Sequence, residues 1–227
     1  MKAQSFSKTE IDRLGDRLRS GESEDDLRTL DAYRFSFANA YGQVLEKSKS
    51  VSSTEVTGRP AKSTAAIIEK LHRESIRLSQ MQDIAGCRVL VTDLKAQDAL
   101  VAQLSTAFDN AVVVDRRNNP SHGYRAVHLV VTIKNRMVEI QVRTSLQQFW
   151  AVLSEKVADK FGNAIKYGGG EVQARQELES LSSSISKIEL LRTARNLDPE
   201  ILVSIADVED HVRLLGTDLL AYLGVNE

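Results

Sequence analysis

Several chemistries are closed to this chain by what it lacks. The single cysteine, Cys87, has no partner for an internal disulfide and no C-x-x-C arrangement, and it suits a reducing compartment. The four histidines, His72, His122, His128 and His211, are scattered and form no H-x-x-x-H pair, which argues against a histidine-bound metal. No Gly-x-x-x-x-Gly-Lys-Ser/Thr loop is present to cradle phosphates. No run of 18 apolar residues occurs, and the opening MKAQSFSKTEIDRLGDRLRSGES has no signal-peptide core. These absences predict a soluble, cytoplasmic protein with no membrane partner.

What is present is an ordinary globular composition with uneven charge. With 227 residues, the chain can form one large domain or a catalytic domain with helical additions. The net charge of −1 conceals two basic segments. Residues 59–88 carry six Lys/Arg against three acids, and residues 116–143 carry six against Glu139 alone. From Glu171 onward the balance reverses, with eleven acids and five Lys/Arg. Solvated charged faces explain any one of these residues, but their concentration points to a local polyanion site.

Hydrophobic spacing predicts helices over 8–20, 24–48, 63–79, 94–108 and 145–161, with a polar loop over 48–63. Short β-branched runs predict strands over Ile84–Thr92, Ala111–Asp115, Tyr124–Lys134 and Met137–Thr144, the last two joined by a hairpin around Asn135. The expected fold is α+β, a mixed sheet flanked by helices with helical N- and C-terminal extensions. The organisation is then 1–50 as N-terminal helices, 51–168 as the core and 169–227 as a C-terminal helical extension. In that extension Ile201, Ile205, Val208, Val212, Leu215, Leu219 and Tyr222 form a narrow apolar seam, with Asp198-Pro199 as its start signal. The seam suits packing on the domain or, alternatively, on a second copy of the chain.

The segment from Val138 to Thr144 carries the clearest chemistry. Strand alternation puts Val138, Ile140 and Val142 on the core face and Glu139, Gln141 and Arg143 on the other, about 6–7 Å apart. A carboxylate, an amide and a guanidinium in a row suit a metal, a sugar hydroxyl and a phosphate; a solvated strand face is the plain alternative. On the preceding strand Tyr124, Ala126 and His128 share a face opposite Arg125, behind the bend at Gly123 and the basic loop DRRNNPSH. An aromatic ring beside arginines suits base stacking with phosphate contacts, although a strand tyrosine commonly serves packing. Asp83 stands just ahead of an apolar strand, where a carboxylate is poorly placed for packing. With Glu139 it could hold Mg²⁺, which takes few protein ligands. Arg59, Lys62, Lys70 and Arg73 could clamp phosphates, though they do not follow one helical stripe.

Taken in order, R-x-x-K, K-L-x-R, D-I-A-G-C-R, H-G-Y-R-A-V-H, E-I-Q-V-R-T and Phe149-Trp150-Ala151 resemble the RelA/SpoT synthetase domain over residues 56–161. The length is similar to that of small alarmone synthetases, and no upstream His-Asp hydrolase motif is seen. The resemblance implies a nucleotidyltransferase-type fold and a Mg²⁺-dependent transfer of pyrophosphate from ATP to the 3′-hydroxyl of GDP or GTP. It implies Asp83 as a metal ligand and Glu139 as a second ligand or the base. Tyr124 would stack on the acceptor base and Arg88 on the ATP adenine or its phosphates. Arg59, Lys62, Lys70 and Arg143 would hold phosphates, while Gln141 and His128 would orient the acceptor. Family members often assemble into oligomers.

Four departures are visible. Pro60 and Ala61 put two residues, where the family has one, between the first Arg and Lys; Ala66 replaces a common serine; Ser154-Glu155 replaces a Glu-His pair; and His122 replaces a common Asn. They leave a second expectation, a toxin of a toxin–antitoxin or phage-defence system, with an antitoxin partner, that modifies the 3′-end of tRNA or an adenosine nucleotide. A nucleotide-binding module without activity is the third.

Overall fold

A computed structural model describes residues 6–194, 199–222 and 224. Helix α1 (Lys8–Ser20) starts at a reciprocal cap: Ser7 accepts from the Glu10 amide, and the Glu10 carboxylate accepts from the Ser7 amide. Its buried stripe is Ile11, Leu14 and Leu18. The single helix expected over 24–48 is two, α2 (Glu24–Phe35) and α3 (Ala38–Val51), turning at Ser36 and Phe37. The break follows from packing. Phe37, buried, meets the Tyr33 ring edge-on at 5.2 Å, and the Arg136 guanidinium lies over both rings.

The helix expected over 63–79 is also shorter. α4 (Thr64–Arg73) begins at Ser63, whose hydroxyl accepts from the Ala66 amide, and the chain then extends before one 3-10 turn at 78–80. Arg19 explains the stop. Its guanidinium donates to the carbonyls of Leu71, Glu74 and Ile76 and so satisfies groups that a continuing helix would have used. Within the expected loop lies a strand, β1 (Val56–Arg59), antiparallel to β2 (Ala85–Val91) in the register Val56↔Val89 to Arg59↔Gly86. Only Val56 of this strand is buried, so its own sequence shows no alternation to read.

The five-stranded mixed sheet has the order β1-β2-β5-β4-β3, with β3 at Val112–Asp115, β4 at Val127–Ile133 and β5 at Arg136–Thr144. Helix α5 (Leu94–Ala107) connects β2 to β3. Lys134 and Asn135 have φ of 48° and 62°, the left-handed pair of a two-residue hairpin, as expected. The strand expected from Tyr124 begins instead at Val127; Tyr124 makes only an isolated bridge to Ser121. Helices α6 (Ser145–Phe161), α7 (Val172–Arg192) and α8 (Pro199–Tyr222) complete the α+β fold. Among the described residues no helix is long and apolar enough to cross a membrane.

The chain divides into two compact units, Met1–Val89 with Gln103–Val113 and Leu129–Gln141, and Leu90–Ala102 with Val114–His128 and Val142–Glu227. The first has a core of α1, α2 and α4 side chains with Leu78, Met81, Ile84 and Ala85. In the second, Leu178, Leu181, Ile185 and Ile188 of α7 pack with Ile205 and Val212 of α8 and with Trp150, Leu153 and Val157 of α6. The C-terminal seam therefore packs within its unit in part, while Val208 and Leu215 stay exposed. Asp198 and the side chains of Ile201 and Tyr222 lie outside the described residues.

Candidate active site

In the first unit, β1 delivers the chain to Asp83. Arg59 donates to the Asp83 carbonyl at 3.0 Å, and the Lys62 amide donates to the Ile84 carbonyl at 2.6 Å. This backbone pairing brings the Lys62 ammonium to one Asp83 oxygen at 2.7 Å. From α4, Lys70 reaches the other oxygen at 3.0 Å. All three side chains are under one-fifth exposed. Burial alone would raise the Asp83 pKa, but the Lys70 and Lys62 charges, and the hydrogen bonds they donate, hold the carboxyl well below its usual range. Lys62 and Lys70, expected to clamp phosphates, here meet a carboxylate. Arg73, expected to clamp phosphate, pairs with Glu74 at 3.0 Å and Glu69 at 3.6 Å.

Three residues after Asp83, Gly86 lies against Glu139 of β5. A methyl group on Gly86 would sit 2.6 Å from the Glu139 carbonyl oxygen, so β2 and β5 approach closely here. Three residues of chain span at most about 11 Å, which limits how far Asp83 is from that contact. Glu139 is itself buried, and Gln141, two positions on, donates to its carboxylate at 2.6 Å. Val138, Ile140 and Val142 are fully buried, as the alternation predicted. Arg88 stands on β2 opposite Thr57.

A divalent cation can be tested against this donor set. Asp83 and Glu139 offer oxygen donors of the hard type that Mg²⁺ prefers. Among the described residues no cluster of three or more His, Cys, Asp or Glu stands ready to cage a metal. Two carboxylates are a donor set of the kind Mg²⁺ takes when phosphate and water complete its shell.

The second unit holds the aromatic group. The Tyr124 hydroxyl lies 2.7 Å from His128 Nε2 and accepts from Arg143 at 2.8 Å. Arg143 also donates to Gln148 at 2.9 Å, and its guanidinium stands 5.0 Å from the Tyr124 ring centre. His128 and Arg143 are both buried. The tyrosine, histidine and arginine named from sequence therefore form one hydrogen-bonded cluster. Gly123 makes it possible. It has φ 87°, and a methyl there would meet Trp150 at 2.7 Å. Arg125 points to α7 and donates to Ser182 at 3.1 Å.

The basic loop splits into two roles that its sequence does not separate. Arg117 is tied to Asp115 and Asp98, each at 2.6 Å. Arg116 instead lines a cavity of about 600 Å³ with Arg125, His122, Gly123, Ser182 and Glu179. Sequence reasoning counted Arg116 only as charge. It also missed Glu189 of α7, buried, which accepts from the Thr144 hydroxyl and from Gln147 at 3.2 Å. Thr144 caps α6, so this carboxyl fixes the turn that follows Arg143. Of the departures, Glu155 forms an ion pair with Lys166 at 2.7 Å and Ser154 is buried, which makes both local structural parts of α6.

Burial pushes the Glu189 carboxyl up, against the hydrogen bonds from Thr144 and Gln147. A raised carboxyl stabilises the fold fully below its unfolded value and loses that contribution as pH rises through the folded value. The Glu189 contribution to stability should therefore fall as pH is raised above about 4.3, the ordinary glutamate value, and Glu209, also raised by burial, adds in the same direction. Glu189→Gln should flatten that limb in urea titrations. Asp83 acts with the opposite sign, because its contribution is present above the ordinary aspartate value and lost on further acidification. Equal slopes for wild type and Glu189→Gln above pH 4.3 would show that Glu189 is not the group responsible.

The profile of the region found in RelA / SpoT proteins matches residues 58–163. Rv1366, an uncharacterized protein of Mycobacterium tuberculosis, is 34% identical over 171 residues, 71% of this chain and 62% of its own length. GTP pyrophosphokinase YjbM of Bacillus subtilis is 37% identical over 128 residues, 48% of this chain and 58% of its own. The chain thus spans under two-thirds of the length of these curated relatives. Among solved structures, small alarmone synthetase 1 of Bacillus subtilis bound to its product pppGpp is similar, with a TM-score of 0.60 and 27% identity. That likeness covers 73% of this chain and 95% of the other.

Proposed function

We propose that this chain, whose residues 58–163 match the region found in RelA / SpoT proteins, transfers pyrophosphate from ATP to the ribose 3′-hydroxyl of GDP or GTP. The observation that carries this reading is the first unit's grouping of Asp83, Lys62 and Lys70, three residues of chain from the Gly86 contact with Glu139. Glu139 takes the 3′-hydroxyl proton as the oxygen attacks the β-phosphorus of ATP. The new O–P bond forms, the α–β bridging bond breaks, and AMP leaves. Gln141 fixes the carboxylate for this step through its 2.6 Å hydrogen bond. Arg59, Lys62 and Lys70 hold the triphosphate, and Arg88 meets the ATP base.

Asp83 and Glu139 would hold Mg²⁺, which when bound neutralises charge on the phosphates being transferred. Tyr124 is the stacking surface for the acceptor base, with His128 and Arg143 on its ribose and phosphates. Arg125, with Arg116, adds positive charge to the cavity beside the basic loop. Val208 and Leu215, the exposed part of the C-terminal seam on α8, would carry a second copy of the chain.

A transfer assay with [γ-³²P]ATP and Mg²⁺ tests the reading. Label should move to GDP or GTP with one AMP released per transfer. Transfer confined to deacylated tRNA or to an adenosine nucleotide would replace the acceptor and favour the toxin alternative. Intact nucleotide binding with no transfer to any acceptor would leave a binding module.

A further inference from the structure

The two lysines that the chemistry assigns to phosphates occupy both oxygens of the carboxylate that it assigns to the cation. Lys62 lies 2.7 Å from one Asp83 oxygen and Lys70 3.0 Å from the other, in a setting where side-chain exposures are 14%, 19% and 16% for Lys62, Lys70 and Asp83. One carboxylate between two ammonium groups has a local sum of +1, which repels a divalent ion, and low exposure weakens the solvent screening that would relieve it. We propose that Lys62 and Lys70 form a latch that keeps a divalent cation off Asp83 until nucleotide phosphates draw the lysines away, so that metal enters with nucleotide and not before it. The proposal rests on Asp83 being a metal ligand, as argued above.

The exchange leaves no charge stranded only when phosphate is present. A metal arriving alone would displace two poorly solvated ammonium groups and bring them no new acceptor, leaving Lys70 only Glu74 at 3.9 Å, which is unfavourable for a buried charge. Triphosphate oxygens supply those acceptors, so each lysine trades a carboxylate for a phosphate while Asp83 trades ammonium for metal. The anchoring of the two residues fits such a trade. The Lys62 backbone is held on both sides, its amide by Ile84 and its carbonyl by Arg34 at 2.7 Å, so only the side chain needs to swing. Lys70 sits on α4 with Glu74 as a second acid 3.9 Å away.

The test is a Mn²⁺ titration followed by paramagnetic broadening of the Ile84 and Gly86 amide signals, with and without α,β-methylene-ATP. The wild type should broaden at roughly tenfold lower Mn²⁺ when the analogue is present, the change expected from relieving one close charge contact. Lys62→Met and Lys70→Met should each broaden without nucleotide at roughly tenfold lower Mn²⁺ than the wild type. Each variant leaves Asp83 one lysine, and the amide spectrum reports directly whether it is folded. The wild-type comparison needs no variant at all. Wild type and both variants broadening at the same Mn²⁺ without nucleotide would overturn the latch while leaving the metal site standing. Broadening that persists unchanged in Asp83→Asn, or that never appears even with the analogue, would overturn the metal-ligand reading itself and the latch with it.

Discussion

Glu139→Gln should lower kcat for pyrophosphate transfer by about three orders of magnitude, within the range general-base groups contribute. The two side chains have nearly the same volume, and the glutamine oxygen can still accept from Gln141, so the strand is left as it was. Glu139 is 8% exposed, and its replacement is nearly isosteric, so no cavity is opened. The protein should stay folded in thermal melts while turnover collapses, a combination that separates lost chemistry from lost fold. Binding of the ATP analogue, measured by calorimetry, should persist because Arg59, Lys62 and Lys70 are untouched. A fall in kcat of less than tenfold would remove Glu139 from the role of base.

Gly86→Ala should damage both stability and activity, for a reason peculiar to its place. The glycine does not need an unusual backbone conformation; it needs to have no side chain. The added methyl would stand 2.6 Å from the Glu139 carbonyl oxygen and 3.6 Å from the Glu139 Cβ. The oxygen belongs to a central strand and cannot rotate aside, so β2 and β5 must part. Overpacking of this kind costs about 1–3 kcal/mol. For a chain of this size that corresponds to a melting temperature lower by about 2–12 °C in calorimetry. The displacement falls on the strand that carries the base, where a misplacement of about 1 Å costs roughly 10²-fold in rate. Gly42→Ala in α3 is the control. Nothing lies within 4 Å of the added methyl, and a helical glycine replaced by alanine should gain about 0.5–1 kcal/mol. If Gly86→Ala melts and turns over like the wild type, the close approach of the two strands is not a constraint.

How much of this was legible beforehand depended on whether a feature is local. The extent of α1, the hairpin at Lys134-Asn135 and the buried face Val138, Ile140 and Val142 are set within a few residues, and the sequence showed them. The breaks at Ser36–Phe37 and after Arg73 were not visible, because their causes lie far along the chain. Arg136 comes from β5 to sit on Tyr33 and Phe37, and Arg19 comes from α1 to take the carbonyls beyond α4. β1 was hidden for the same reason, since its pairing with β2 and not its own pattern makes it a strand.

The sequence by itself determined the inventory: an α+β chain with two basic segments, a carboxylate–amide–guanidinium row on one strand, a tyrosine behind a glycine bend, and the motif order of a known family. Side-chain alternation and residue chemistry suffice for that, because both act over short range. Tertiary structure decided the partners. It put Lys62 and Lys70 on Asp83, gave Arg117 to its neighbouring acids while leaving Arg116 at a cavity, and brought Glu189 to the cap of α6. Which charge meets which is fixed by distances of a few ångströms between segments far apart in the chain, and the Coulomb term at such distances changes too steeply for spacing in sequence to reveal it.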